Sequence, residues 1–245
     1  MRKQSLYVLL ILILSMISCQ GVDSLVNSIA HQNRVDCEAV GYAGSKSNVY
    51  NAYKKLEKKA TRKELLKLIN HDSLAVAGYA SYILIDKELI APQELLKQFI
   101  DNTRPVTTFC GCLMSESSIS SIIYHKYWNK RISYPTNSDY STFELIDSKQ
   151  LQKMDSLILY SDHPDWILLS RALENRIYTT EYNDKIIDWA IDKKNFYALI
   201  YVVENLKAGN KERLIKSINE FISNDDNSRA QKEKLTTVLV DLQKQ

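Results

Sequence analysis

Glycine and proline are scarce, with six and four in 245 residues. A sandwich or barrel needs many tight turns, so this scarcity argues against both. With Leu, Ile, Lys and Glu plentiful, it predicts long helices instead. Cysteine is also scarce, at four, which excludes a disulfide-dense scaffold. Charge of one sign is lacking: the formal net charge is +3, and Arg2 and Lys3 supply part of it. Nothing here makes an electrostatic case for a nucleic-acid partner, which needs a basic face. No His-Glu-x-x-His, phosphate-binding glycine loop or Gly-x-Ser-x-Gly elbow occurs. Asp225-Asp226-Asn227 lacks the remaining ligands of a calcium loop. Motifs therefore assign no catalytic residue, no metal ligand set and no cofactor.

The amino end carries the strongest positive signal. Arg2 and Lys3 precede an almost unbroken apolar run from Leu6 to Ile17, and Ser18 stands directly before Cys19. The run is short for a membrane span, which needs roughly 18 or more apolar residues, and fits a secretory signal peptide. A cysteine after a small residue resembles a bacterial lipobox, whose thiol is diacylated and opens the mature chain. Met16 departs from that pattern, where Leu is usual. Residues 1–18 are thus expected to be the signal, Cys19 the lipidated residue, and the cell envelope the location. The mature chain would be nearly neutral.

Residues 19–45 read as the lipidated cysteine and a polar tether, with a turn at Gly41 and Gly44. Residues 46–245 read as an all-α, HEAT-like α-solenoid of stacked antiparallel helix pairs. Ser45 or Ser47 can cap a helix to about Lys59. Thr61 caps a second helix carrying Leu65 to Ile69. After a turn at Asn70-His71-Asp72, an apolar helix carries Leu74, Ala77, Ala80, Ile83 and Leu84. Similar pairs flank Ser161-Asp162-His163 and Lys193-Lys194-Asn195, placing Leu74, Trp166 and Phe196 at one position of the pattern. Between them, Thr103 to Met114 has no helical period and reads as a loop or short extended segment. A helix resumes at Ser117 or Ser118 and runs through Trp128.

Four stretches look like a group of Bacteroidota lipoproteins described only as hypothetical or HEAT-like. They are Asp36-Cys37-Glu38, residues Thr107 to Cys112, Tyr124 to Trp128, and Asp165 to Arg176, together with the signal before Cys19. The resemblance implies a fold and an anchor but no activity, ligand or catalytic residue. Outer-surface export in that phylum usually shows an acidic cluster after the lipidated cysteine. Gln20-Gly21-Val22-Asp23 lacks one, which implies a periplasm-facing protein.

Candidate chemistry is sparse. Cys37, Cys110 and Cys112 are an odd set for an oxidising compartment. A disulfide from Cys37 to Cys110 or to Cys112 would leave one thiol free. With His125 the three could instead hold zinc or do thiol chemistry, although two cysteines one residue apart are weak evidence for a site. Asp162-His163-Pro164-Asp165 juxtaposes an imidazole and carboxylates, yet a helix start explains it better. Arg171, Glu174 and Arg176 suit a charged ladder, and Ser115 to Ser121 suits helix capping. The best binding candidate is Tyr124, Lys126, Trp128, Lys130 and Arg131, with His125 and Tyr127 between them. Rings beside cations can hold glycans, peptides or acidic partners, although core packing is the more ordinary role. The expected function is a non-enzymatic binding or scaffold lipoprotein whose partner is a protein or another envelope component. A thiol or zinc enzyme is the alternative.

Overall fold

The computed structural model describes residues 21–244 except 103, 134–143, 146–147, 163–164 and 174–175. The signal peptide and Cys19 lie outside the described residues, as do His163, Pro164 and Glu174. The chain divides into two compact units, Met1–Ile132 and Ser133–Gln245.

Unit 1 overturns the all-α expectation. Helix α1 (residues 21–32) leads into β1 (Arg34–Val40) and β2 (Ser45–Lys46). Helices α2 (Asn48–Lys59), α3 (Arg62–Leu68), α4 (Leu74–Asp86) and α5 (Pro92–Phe99) follow. Strands β3 (Pro105–Gly111) and β4 (Leu113–Ser118) then lead into α6 (Ile119–Asn129). The four strands make one mixed sheet in the order β2-β1-β3-β4, with β1 parallel to β3 and the outer pairs antiparallel. The HEAT-like solenoid is therefore incorrect as a description of the chain: its fold is mixed α/β. The physical reason lies in β1, β3 and β4. Each is six or seven residues long, and the alternation in RVDCEAV spans a single short segment. A period-2 pattern in so short a window is easily lost. The parallel pairing of β1 with β3, Asp36 opposite Phe109, joins segments that no local pattern connects.

The expected tether is also corrected. Val22, Val26 and Ile29 of α1 are buried in the unit 1 core, and β1 begins at Arg34. The folded unit therefore starts well before residue 46. At its centre lies α4, with 11 of its 13 residues buried, so it is apolar on every side, as a core helix must be. Gly78 permits the close approach of α6: a Cβ there would stand 2.8 Å from Ile122 Cδ1.

Local signals hold better. Ser47 accepts from the Tyr50 amide and caps α2. Thr61 and Glu64 form a reciprocal capping box at α3, and the hydrogen bonds from Thr61 hold the Glu64 carboxyl below its ordinary range. The turn before α4 uses His71, whose Nδ1 accepts from the Ser73 amide at 3.0 Å. Ser118 caps α6.

Unit 2 contains α7 (Lys149–Tyr160), α8 (Trp166–Leu173), α9 (Asn183–Ile191), α10 (Phe196–Asn205), α11 (Lys211–Ser223) and α12 (Arg229–Lys244). Helix α10 packs on α8, α9, α11 and α12, while α7 packs on α8 and α9. Trp189 Nε1 donates to the Leu159 carbonyl at 2.9 Å, fastening α9 to α7. The positional match drawn from sequence fails in detail. Leu74 is 5% exposed whereas Trp166 is 61% exposed, so the two do not perform one packing role.

Candidate functional site

The cysteines resolve first. Cys37 on β1 is bonded to Cys110 on β3, and Cys112 is a free, exposed thiol in the turn after β3. The parallel register sets Asp36 opposite Phe109, which brings the next residues, Cys37 and Cys110, together. With this disulfide formed, two of the three cysteines proposed as zinc donors carry no thiolate, so the set with His125 is not assembled. Among the described residues no group of three or more His, Cys, Asp or Glu side chains has metal-binding proximity.

Two of the rings singled out on α6 are buried. Tyr124 is 1% exposed and Trp128 5% exposed. The expected binding patch of Tyr124, Lys126, Trp128, Lys130 and Arg131 is not borne out in its rings, because Tyr124 and Trp128 are buried. Its lysines are engaged as well. Lys126 pairs with Asp86 at 2.7 Å and lies over the Tyr82 ring, and Lys130 reaches the Ile85 carbonyl and Glu88. Arg131 donates its amide to the Trp128 carbonyl. The sequence cannot separate a buried ring from an exposed one here, because both readings need the same residue types at the same spacing.

A second buried polar group escaped sequence reading. Asp36 is buried, with its carboxylate taking hydrogen bonds from Arg34 at 2.6 Å and from Ser47 Oγ at 2.6 Å. The Tyr79 hydroxyl bonds to the Asp36 backbone. Every contact is internal and ties β1 to α2 and α4. A buried carboxylate demands such partners.

Unit 2 contributes the concave surface. A cavity of about 850 Å³ opens between α8, α10 and α12, within the size range of ordinary ligand sites. The rings of Trp166 and Tyr197 on its wall are nearly parallel, 10° apart, with centroids at 6.3 Å. Phe196 meets Tyr197 edge-on at 5.1 Å. The amide caps of α10 explain this placement: Asn195 accepts from the Tyr197 and Ala198 amides, fixing the first turn where both rings emerge. Asp165 does the same for α8, accepting from the Ile167 amide at 2.9 Å. Asp165 thus serves the start of α8.

Charge around the cavity is mixed with a cationic bias. Lys234 of α12 lies 5.9 Å from the Phe196 ring, and Arg171, Arg176 and Glu204 also line the wall. Arg176 follows the end of α8 and pairs with the fully buried Asp155. That pair anchors one end of the groove. Beside it Tyr178 donates to the Ala172 carbonyl and its amide donates to Tyr201. Burial, with Asp155 nearby, pushes the Tyr178 hydroxyl well above its ordinary range. Ile177, next in sequence, is 91% exposed at the rim. The arrangement offers flat apolar faces beside cations, which suits recognition more than proton transfer. Its lining contains no histidine or cysteine among the described residues.

Comparison with protein-family models, with curated proteins and with solved structures finds no match for this chain.

Proposed function

We propose that this protein is a lipid-anchored, non-enzymatic binding protein of the cell envelope, with the α8–α10–α12 groove as its partner site. The anchor rests on the charged start, the apolar run and Ser18 before Cys19. The groove rests on one observation above the others. Trp166, a residue that folding would normally bury, stands 61% exposed and parallel to Tyr197 on a concave wall. Exposed aromatic platforms are enriched where partners dock, since a ring supplies large contact area at little entropic cost. A protein or other envelope component with an apolar group beside an anionic one fits Trp166, Tyr197 and Lys234 together.

The test is capture of the partner by purified intact protein. Trp166→Ala should abolish co-purification of whatever the wild type retains while leaving the melting temperature nearly unchanged. Undiminished capture by this variant contradicts the groove as the site. For the anchor, Cys19→Ser should move the protein out of the detergent phase into which the acylated wild type partitions.

A further inference from the structure

The absence of a tether changes what a lipid on Cys19 would do. Helix α1 already runs at Gly21, and Val22, one residue on, is buried in the unit 1 core. Two residues of fully extended chain span at most about 7 Å, so an acyl group on Cys19 holds unit 1 close against the bilayer. The side of the unit that meets the lipid is then fixed by what surrounds Gly21.

What surrounds it is cationic. A Cβ on Gly21 would lie 3.2 Å from Lys59 Nζ, so the end of α2 sits beside the start of α1. Lys55 and Lys58 lie four and one residues before Lys59 and, like it, are exposed. The stretch 54–67 carries seven cations against two carboxylates, Glu57 and Glu64. Both carboxylates are occupied within the unit: Glu57 pairs with Lys54, and Glu64 closes the capping box at Thr61. The one carboxylate of α1 is Asp23. No ion pair engages Lys55, Lys58 or Lys59 among the described residues.

We propose that Lys55, Lys58 and Lys59 form a docking face for anionic lipid headgroups, which seats unit 1 flat on the membrane into which the Cys19 acyl chains insert. The inference rests on lipidation of Cys19 for the position of the membrane. The electrostatic contact is a property of the folded unit and can be measured separately. Each lysine near an anionic surface adds about 1 kcal/mol of attraction, so three together change partition on the order of 100-fold. The effect fades as salt shortens the screening length.

The experiment uses the full mature protein extracted from cell membranes. Its intact mass reports acylation of Cys19, which tests the anchor alone. The same protein is then mixed with vesicles of phosphatidylcholine, with or without phosphatidylglycerol. Labelling of Lys55, Lys58 and Lys59 by a water-soluble amine reagent is read residue by residue. The proposal predicts strong protection on phosphatidylglycerol vesicles, little on phosphatidylcholine alone, and its loss at high salt. If the mass shows no acyl chains, flotation of the protein with phosphatidylglycerol vesicles replaces labelling. Flotation should then fall on the order of 100-fold in K55E/K58E/K59E, a surface variant whose fold is checked by its melting curve. Equal labelling on both vesicle types, or flotation unaffected by the triple variant, overturns the docking face whatever the state of Cys19.

Discussion

In unit 1 a pair of aromatic rings stacks inward. Tyr53 lies on Tyr79 at 4.5 Å, and both are buried. In unit 2 a comparable pair, Trp166 and Tyr197, stacks on the wall of an open groove. Unit 1 is further tied by a disulfide that closes a 73-residue separation and by the Asp36 hydrogen bonds that join β1 to two helices. The same residue types therefore serve stability in one place and display in the other. Neighbouring polar groups distinguish the two cases. Tyr79 has its hydroxyl satisfied by the Asp36 backbone, whereas Trp166 keeps most of its surface in solvent.

The largest expected effect breaks that comparison from the unit 1 side. Trp128→Ala should destabilise unit 1 by roughly 3–5 kcal/mol, as for other large buried aromatics, seen as a fall in its thermal or denaturant midpoint. A near-neutral result would mean that α6 presents Trp128 to a partner after all.

Next, replacing Cys37 and Cys110 together with Ser removes the constraint on a 73-residue separation. Loop entropy puts the loss at about 4 kcal/mol or somewhat less. The drop should appear in the unfolding of unit 1, followed by hydrogen exchange, and should spare α9 to α11.

Alkaline titration sharpens the contrast with smaller increments. Burial raises the Tyr53 and Tyr79 hydroxyls above their usual range. A tyrosine raised on folding stabilises fully below its unfolded value and loses that contribution as pH rises through and beyond about 10. Each should cost unit 1 about 1.4 kcal/mol per pH unit in that window. Tyr178 is the corresponding group in unit 2. The part of the tyrosinate absorbance that comes from Tyr53, Tyr79 and Tyr178 should therefore rise only with unfolding, and Tyr79→Phe should flatten the pH dependence.

The smallest effect on stability belongs to Trp166→Ala, within about 0.5 kcal/mol, as for exposed positions generally. Its effect on partner capture should be the greatest of the series. A large fall in melting temperature would make Trp166 a packing residue and remove the basis for the groove.

Much of the helical architecture was legible because capping and apolar period are local. Ser47, Thr61, Ser118 and the turn at Asn195 each mark a boundary within a few residues of chain. The sheet was not legible, since Arg34–Val40 pairs with Pro105–Gly111 across a long separation, and the alternation of charged and apolar residues from Arg34 to Ala39 fills only six positions. The exposed turns of unit 1 follow from this. Gly41 donates to the Gly111 carbonyl at 2.7 Å, setting Tyr42 beside the hairpin tip with Leu113 and Met114. The repeat alignment matches Trp166 to the buried Leu74, because sequence spacing reports the helix face but not whether another element covers that face. The groove depends on α12 approaching α10, which no motif encodes.

The division of labour between the units can be tested in living cells with a photo-crosslinking side chain at two exposed apolar positions. One is Ile177 at the groove rim, 91% exposed, and the other is Leu113 at the unit 1 hairpin tip, 77% exposed. A discrete adduct from position 177, absent from position 113 and lost when Trp166→Ala is added, is the predicted result. An adduct from position 113 alone, or one from position 177 that survives Trp166→Ala, would contradict the groove as the partner site.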